Sequence, residues 1–190
     1  MLGSLAGPLL LSFDKKVSFY RKWKYLFPAM IFPAALYIAW DIYFTDKNVW
    51  QFNPDYITGN YFFNLPVEEV MFFFIVPYCA VFIYECMRCY FPKLKDPRSI
   101  VAFTIILSLG LLVAGLIFHN EMYTVFTFVL TAVFMLLFIL FKNKLPGLHL
   151  TTFFISYAIT LIPFLVVNGL LTALPVVQYN DLENLGIRIY

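Results

Sequence analysis

Charged positions are bunched along this chain, and long uncharged apolar runs separate the bunches. No Asp, Glu, Lys or Arg occurs at residues 99–120, 122–141 or 145–180, and shorter charge-free runs cover 25–40 and 70–84. About 20 apolar residues carry a helix across a bilayer. Three of these runs reach that length, and the other two reach it by including one acidic residue each, Asp41 and Glu69. The pattern predicts helices at about 2–13, 26–45, 65–91, 99–118, 122–141 and 150–175. The fold class is therefore all-α, a polytopic transmembrane helical bundle. The first run is short and has neither a basic leader nor a cleavage site, so it reads as the second half of a first helix and not as a signal peptide. Pro33, Pro77 and Pro163 lie inside predicted spans, where neighbouring helices can satisfy the freed carbonyls.

Composition agrees with lipid as the solvent. Of the 190 residues 62% are hydrophobic and 13% charged, against about 45–50% and about 25% in soluble domains. The loops then set a direction. Lys15, Lys16, Arg21, Lys22 and Lys24, then Arg88, Lys93, Lys95 and Arg98, then Lys142 and Lys144 place eleven of thirteen basic residues on one side, leaving Lys47 and Arg188 on the other. The positive-inside rule makes the basic side cytoplasmic, in a multi-pass protein of the cell (inner) membrane. No sustained basic stripe points to nucleic acid. Cys79, Cys86 and Cys89 form no disulfide framework, and the single C-x-x-C has no second pair with which to hold a metal.

A shift of 127 residues brings Gln51-Phe52-Asn53 onto Gln178-Tyr179-Asn180, Gly59 onto Gly186, and Asp41 onto Asn168. The second and sixth helices cross in the same sense, as a parallel repeat requires. The expected division is a first repeat at 1–91, a connecting helix within 92–121 and a second repeat at 122–190. On this reading six helices of a bundle of seven are present, because the counterpart of Leu65-Pro66-Val67-Glu68-Glu69 would begin just after Tyr190.

Candidate chemistry gathers on the side away from the basic loops. Glu68 and Glu69 open the third helix, where carboxylates suit the N-terminal dipole. Neighbouring helix positions diverge by about 100°, so one carboxyl can cap or meet water while the other enters the bundle. Asp41 is an acid inside an apolar span, a placement that usually faces the bundle and marks function. Asn53 lies in the loop between them. Met71-Phe72-Phe73-Phe74, Tyr37, Trp40 and Tyr43 surround them with rings that attract cations and pack on flat conjugated chains. Glu85 and Arg88 are spaced to pair as structure. No G-x-G-x-x-G, no D-x-x-x-D cluster and no mid-span lysine occurs, so no flavin, nicotinamide, diphosphate-bound Mg²⁺ or retinal site is expected.

These segments resemble one family. Pro8-Leu9-Leu10-Leu11-Ser12-Phe13-Asp14, Phe19-Tyr20-Arg21, Trp40-Asp41, Trp50-Gln51-Phe52-Asn53, Gly59, Asn64-Leu65-Pro66-Val67-Glu68-Glu69, Ile83-Tyr84-Glu85, Pro163, Asn168-Gly169 and Asn184-Leu185-Gly186-Ile187-Arg188 stand in the order of the membrane-integral lycopene cyclases. The resemblance implies cyclisation of lycopene ends to β-ionone rings, redox-neutral and without cofactor or metal. It implies Glu68 as the essential carboxylate, with Glu69 and Asp41 as its acidic partners, and Asn53, Trp40, Phe72 and Asn168 against the substrate. In that assignment Glu68 is the acid and Asp41 or Glu69 the base. Lycopene or a similar carotenoid and the lipid bilayer are the implied partners, with homo-oligomers or pairing with another carotenoid enzyme. The alternatives are a cyclase of longer carotenoids or of ε or γ rings, a non-catalytic carotenoid-binding protein, and a proton-coupled transporter.

Overall fold

The computed structural model describes residues 2–142, 144 and 147–180. Six α-helices follow one another: α1 (Leu2–Leu11), α2 (Trp23–Asp46), α3 (Val67–Tyr90), α4 (Arg98–Ile117), α5 (Met122–Phe141) and α6 (Leu150–Ala173). Five of them are long and apolar enough to cross a membrane. Their large side chains face outward, as at Phe32 (78% exposed) and Leu116 (75%). Such surface is stable only against hydrocarbon. The protein is an all-α polytopic membrane bundle.

The boundaries differ from the sequence reading in small ways. Helix α2 starts at Trp23 because a 3₁₀ turn, Phe19–Lys22, runs directly into it. The segment between α2 and α3 is not plain loop. It holds β1 (Trp50–Phe52), β2 (Tyr61–Phe62) and β3 (Leu65–Pro66), and β4 (Val177–Tyr179) follows α6. Strands of two or three residues are too short to leave an alternating pattern in sequence. The expected features at Gly186 and at residues 184–188 lie outside the described residues.

The described residues form two compact units, residues 2–92 with 156–179, and the described part of 93–155 with residue 180. In the second, α4 and α5 pack along their length. Gly115 makes the approach close, since a Cβ there would stand 3.4 Å from Val129 Cγ2. The buried hydroxyls of Thr104 and Ser108 donate to carbonyls one turn back, Ile100 and Thr104, at 2.7 Å each. The start of α6 is held by Asp96, whose two carboxylate oxygens accept the backbone N–H groups of Leu150 (3.0 Å) and Thr151 (2.9 Å). These are the free amides that a helix start always presents.

The core of the first unit lies at its basic end, where Val17, Phe19, Met30, Tyr78 and Phe82 are buried together. The Ser12 and Tyr78 hydroxyls share a buried 2.6 Å hydrogen bond. Glu85, buried, is paired with Lys22 and with Arg88, the latter at 3.0 Å. The expected helix-face pair thus gains a third member from another element.

Positions 127 residues apart take the same conformation. Helices α2 and α6 each have 24 residues and start at Trp23 and Leu150. Val49 N–H donates to Phe44 O and Val176 N–H to Leu171 O, while Lys47 N–H donates to Tyr43 O and Leu174 N–H to Leu170 O. Strands β1 and β4 then pair with each other, antiparallel, with Gln51 opposite Gln178. The central pair of this ribbon is one residue meeting its own counterpart.

Candidate active site

Helix α2 delivers Asp41 about 18 residues along, some 27 Å from its start at a rise of ~1.5 Å per residue. Asp41 is 4% exposed. Its Oδ1 accepts from the Trp50 indole N–H at 2.7 Å. Its Oδ2 is buried and has no hydrogen-bond partner among the described residues. Trp50 reaches it because the chain turns back after α2, through Asn48 in the left-handed region (φ 57°), and enters the ribbon with β4.

The two glutamates at the start of α3 separate as their helical spacing requires. Glu68 turns toward the loop, where its Oε1 accepts Thr58 N–H at 2.9 Å and its Oε2 is buried without a partner among the described residues. Gly59, at φ +79°, makes the turn that presents this amide; a residue with a Cβ would be strained there. Val67 N–H donates to Asn60 O, 2.9 Å, so the loop covers the helix start. Glu69 turns inward, is partly buried, and feels the charge of Asp41. The structure thus brings together Asp41 and Glu69, on facing helices, and puts Glu68 on the loop side of the same helix end.

One turn below this pair lies a row of rings. Tyr37, four residues before Asp41, stacks on Phe73, four residues after Glu69, with centroids 6.2 Å apart and planes 9° off parallel. Phe73 meets Phe72 edge-on at 5.6 Å, and Phe72 meets Phe164 of α6 at 6.3 Å. Tyr37 and Phe164 are 127 positions apart, so the two counterparts flank the Phe72–Phe73 pair from either side. Trp40 packs on Tyr37 (5.5 Å) and edge-on to Phe44 (5.2 Å).

Two other expected residues have different surroundings. The Asn53 side chain accepts Asp55 N–H at 3.1 Å and caps the short 3₁₀ helix Pro54–Tyr56. Asn168, in α6, is partly buried, and its backbone carbonyl accepts the Thr172 hydroxyl at 2.9 Å. An open hollow of about 460 Å³ is lined by Ala39, Ile42, Tyr43, Asp46, Phe63 and Asn64. It lies on the face of α2 turned away from Asp41, and none of the three carboxylates lines it. Sequence reasoning passed over Trp50 as an acid partner and Phe73 and Phe164 as members of one row. Their signals were present: spacings of four from the two acids, and the 127-residue shift.

A family model described as lycopene cyclase matches residues 1–87 and 120–190. The chain belongs to the lycopene cyclase family. The stretch left unmatched, 88–119, holds α4. Among relatives, the chain is similar to a "Bifunctional lycopene cyclase/phytoene synthase" of Podospora anserina, 29% identical over 83 residues, which is 40% of this chain and 14% of that protein. The lycopene cyclase match thus spans a small part of that relative's length. No solved structure matches.

Proposed function

We propose that the protein is a carotenoid cyclase that closes the acyclic ends of lycopene into β-ionone rings, and that Asp41 and Glu69 are its acid–base pair. The observation that carries this is the facing of these two carboxyl groups directly above the aromatic row. An alkene is a weak base, so its protonation calls for a carboxylic acid kept protonated away from water. Two neighbouring carboxyl groups that share one proton supply an acid and a base in one place, and this is the role assigned to Asp41 and Glu69. The acid protonates the terminal C1=C2 bond at C2. The C5=C6 bond attacks the cation at C1, forming the C1–C6 bond and moving the charge to C5. Loss of the C6 proton to the base forms the C5=C6 double bond of the ring, discharges the cation, and restores the carboxyl pair after relay of the proton. No electron is gained or lost. The ring faces of Tyr37, Phe73 and Phe72 lie where a cation one turn below the acids is stabilised, each by roughly 0.5–2 kcal/mol.

This division of labour differs from the one the motif suggests. Glu68, tied to Thr58 N–H, holds the loop over the helix start. Trp40 and Phe72 flank the polyene, and Asn168 sits at the counterpart of Asp41. The repeat frame, 1–91 and 122–190 about a connecting helix, is supported by the matched helices and by the family match omitting α4. The basic loops are cytoplasmic in this reading, in the cell membrane, and the substrate enters sideways from lipid. The relative's name joins a phytoene synthase to a lycopene cyclase, which supports placement beside another carotenoid enzyme.

Pigment analysis of lycopene-accumulating cells tests the proposal. Cells expressing the chain are expected to form cyclic carotenoid, and Asp41→Asn and Glu69→Gln each to abolish it. Cyclic product at the unmutated level from either variant overturns the assignment, and unchanged lycopene co-purifying with the protein replaces it by a binding role.

A further inference from the structure

We infer that Trp50 is a positioning residue for the Asp41 carboxyl. The indole N–H, a neutral donor, occupies Oδ1 at 2.7 Å and leaves Oδ2 as the oxygen able to exchange a proton. Trp50 is itself fixed from two directions. Its backbone stands opposite Tyr179 in the ribbon with β4, and its ring meets Phe44, which is fully buried, edge-on at 5.4 Å.

The chain contains its own comparison. The shift of 127 carries Phe44 to Leu171, Val49 to Val176, Asp41 to Asn168 and Trp50 to Val177. The scaffold is the same in both places, since both copies make the matching turn hydrogen bonds and both supply a strand to the one ribbon. What differs is the acid and its donor, and they differ together. Where the helix carries a carboxyl group an indole reaches back to hold it; where it carries an amide, the counterpart has no side-chain donor. Packing alone would not tie the choice of side chain at position 50 to the one at position 41, because Val177 fills the same register of the ribbon without a ring.

The consequence is functional. An unheld aspartate would rotate between rotamers and present either oxygen, and one fixed oxygen keeps the other aligned for transfer. This inference rests on reading Asp41 as half of the acid–base pair, so the experiment has one readout that needs catalysis and two that do not. The protein is reconstituted in liposomes with Trp50→Phe, with Phe82→Leu, in the core at the basic end, as a packing control, and unmutated with ¹⁵N-tryptophan, which labels three indoles. Trp50→Phe is expected to slow ring formation about tenfold to a hundredfold, the worth of a hydrogen bond to a charged group. It should also displace the pH profile of the rate and move the carboxyl infrared band that disappears in Asp41→Asn. Phe82→Leu is expected to lower the unfolding temperature and leave the profile and the band in place. In the unmutated chain the Trp50 indole resonance should titrate with the acid and shift in Asp41→Asn. A Trp50→Phe profile and band that coincide with the unmutated ones, or an indole resonance indifferent to pH and to Asp41→Asn, overturn the inference. Absence of any ring formation by the unmutated chain overturns the acid–base reading instead, and the infrared and indole measurements still decide the role of Trp50.

Discussion

Asp41 is an expensive residue for its position. An acid at the centre of a membrane helix costs roughly 2.5–3.5 kcal/mol on insertion scales, less toward the end of the helix where Asp41 lies. One hydrogen bond and a facing acid, Glu69, are a poor return in stability. Asp41→Asn is therefore expected to raise the unfolding temperature of the purified protein while lowering ring formation by about 10²–10⁴-fold, the usual worth of a general acid or base. Thermal scans beside pigment analysis check both halves, and a variant that is both less stable and fully active contradicts them. Phe73→Leu keeps apolar bulk but removes a ring face, and is expected to slow ring formation by about 2- to 30-fold with little change in the amount of folded protein. At this scale the acids were legible as charges inside apolar runs. Which glutamate turns inward was not, because adjacent positions are equivalent in a pattern. The amide of Thr58, presented by Gly59, decides it.

The helices as elements were legible nearly to their ends, because lipid demands length and an absence of charge, and both are read directly from the chain. The contacts that tie elements together were not. Asp96 reads as one loop acid among lysines, yet it caps α6 from 54 residues away. Burial by itself would raise its pKa, but the amides of Thr151 and Leu150 and the charge of Lys142, 3.9 Å away, outweigh burial and hold it below the ordinary carboxylate value. A carboxyl with a lowered folded pKa stabilises the fold fully above the unfolded value, ~3.9, and loses that contribution as pH falls through the lower, folded value. Asp96→Ala should accordingly cost about 0.5–2 kcal/mol at pH 6, as lost helix caps do. The gap between the two unfolding temperatures should close as pH falls below about 4. Calorimetry of both proteins in one detergent measures it. A gap of constant size down to pH 2 would mean that the carboxylate charge contributes nothing.

For the molecule as a whole, the bias of lysine and arginine is the ground for the proposed orientation, with the basic loops toward the cytoplasm. With Cys79, Cys86 and Cys89 replaced by alanine, a cysteine at Ser18 is expected to react with an impermeant maleimide only after cells are opened, and one at Asp55 in intact cells. The reverse pattern would invert the topology and place the carboxyl pair at the cytoplasmic surface. The 127-residue shift was visible as a few matching letters. It read as a parallel repeat, but the pairing that sets Gln51 across from Gln178 was not legible in it. That short clasp lies outside the spans. Two fragments severed in the polar stretch 93–97 would still carry matching halves of it, so the peptide link there is dispensable for finding the right partner. Co-produced as separate pieces, they should recombine and elute together from an affinity tag placed on one.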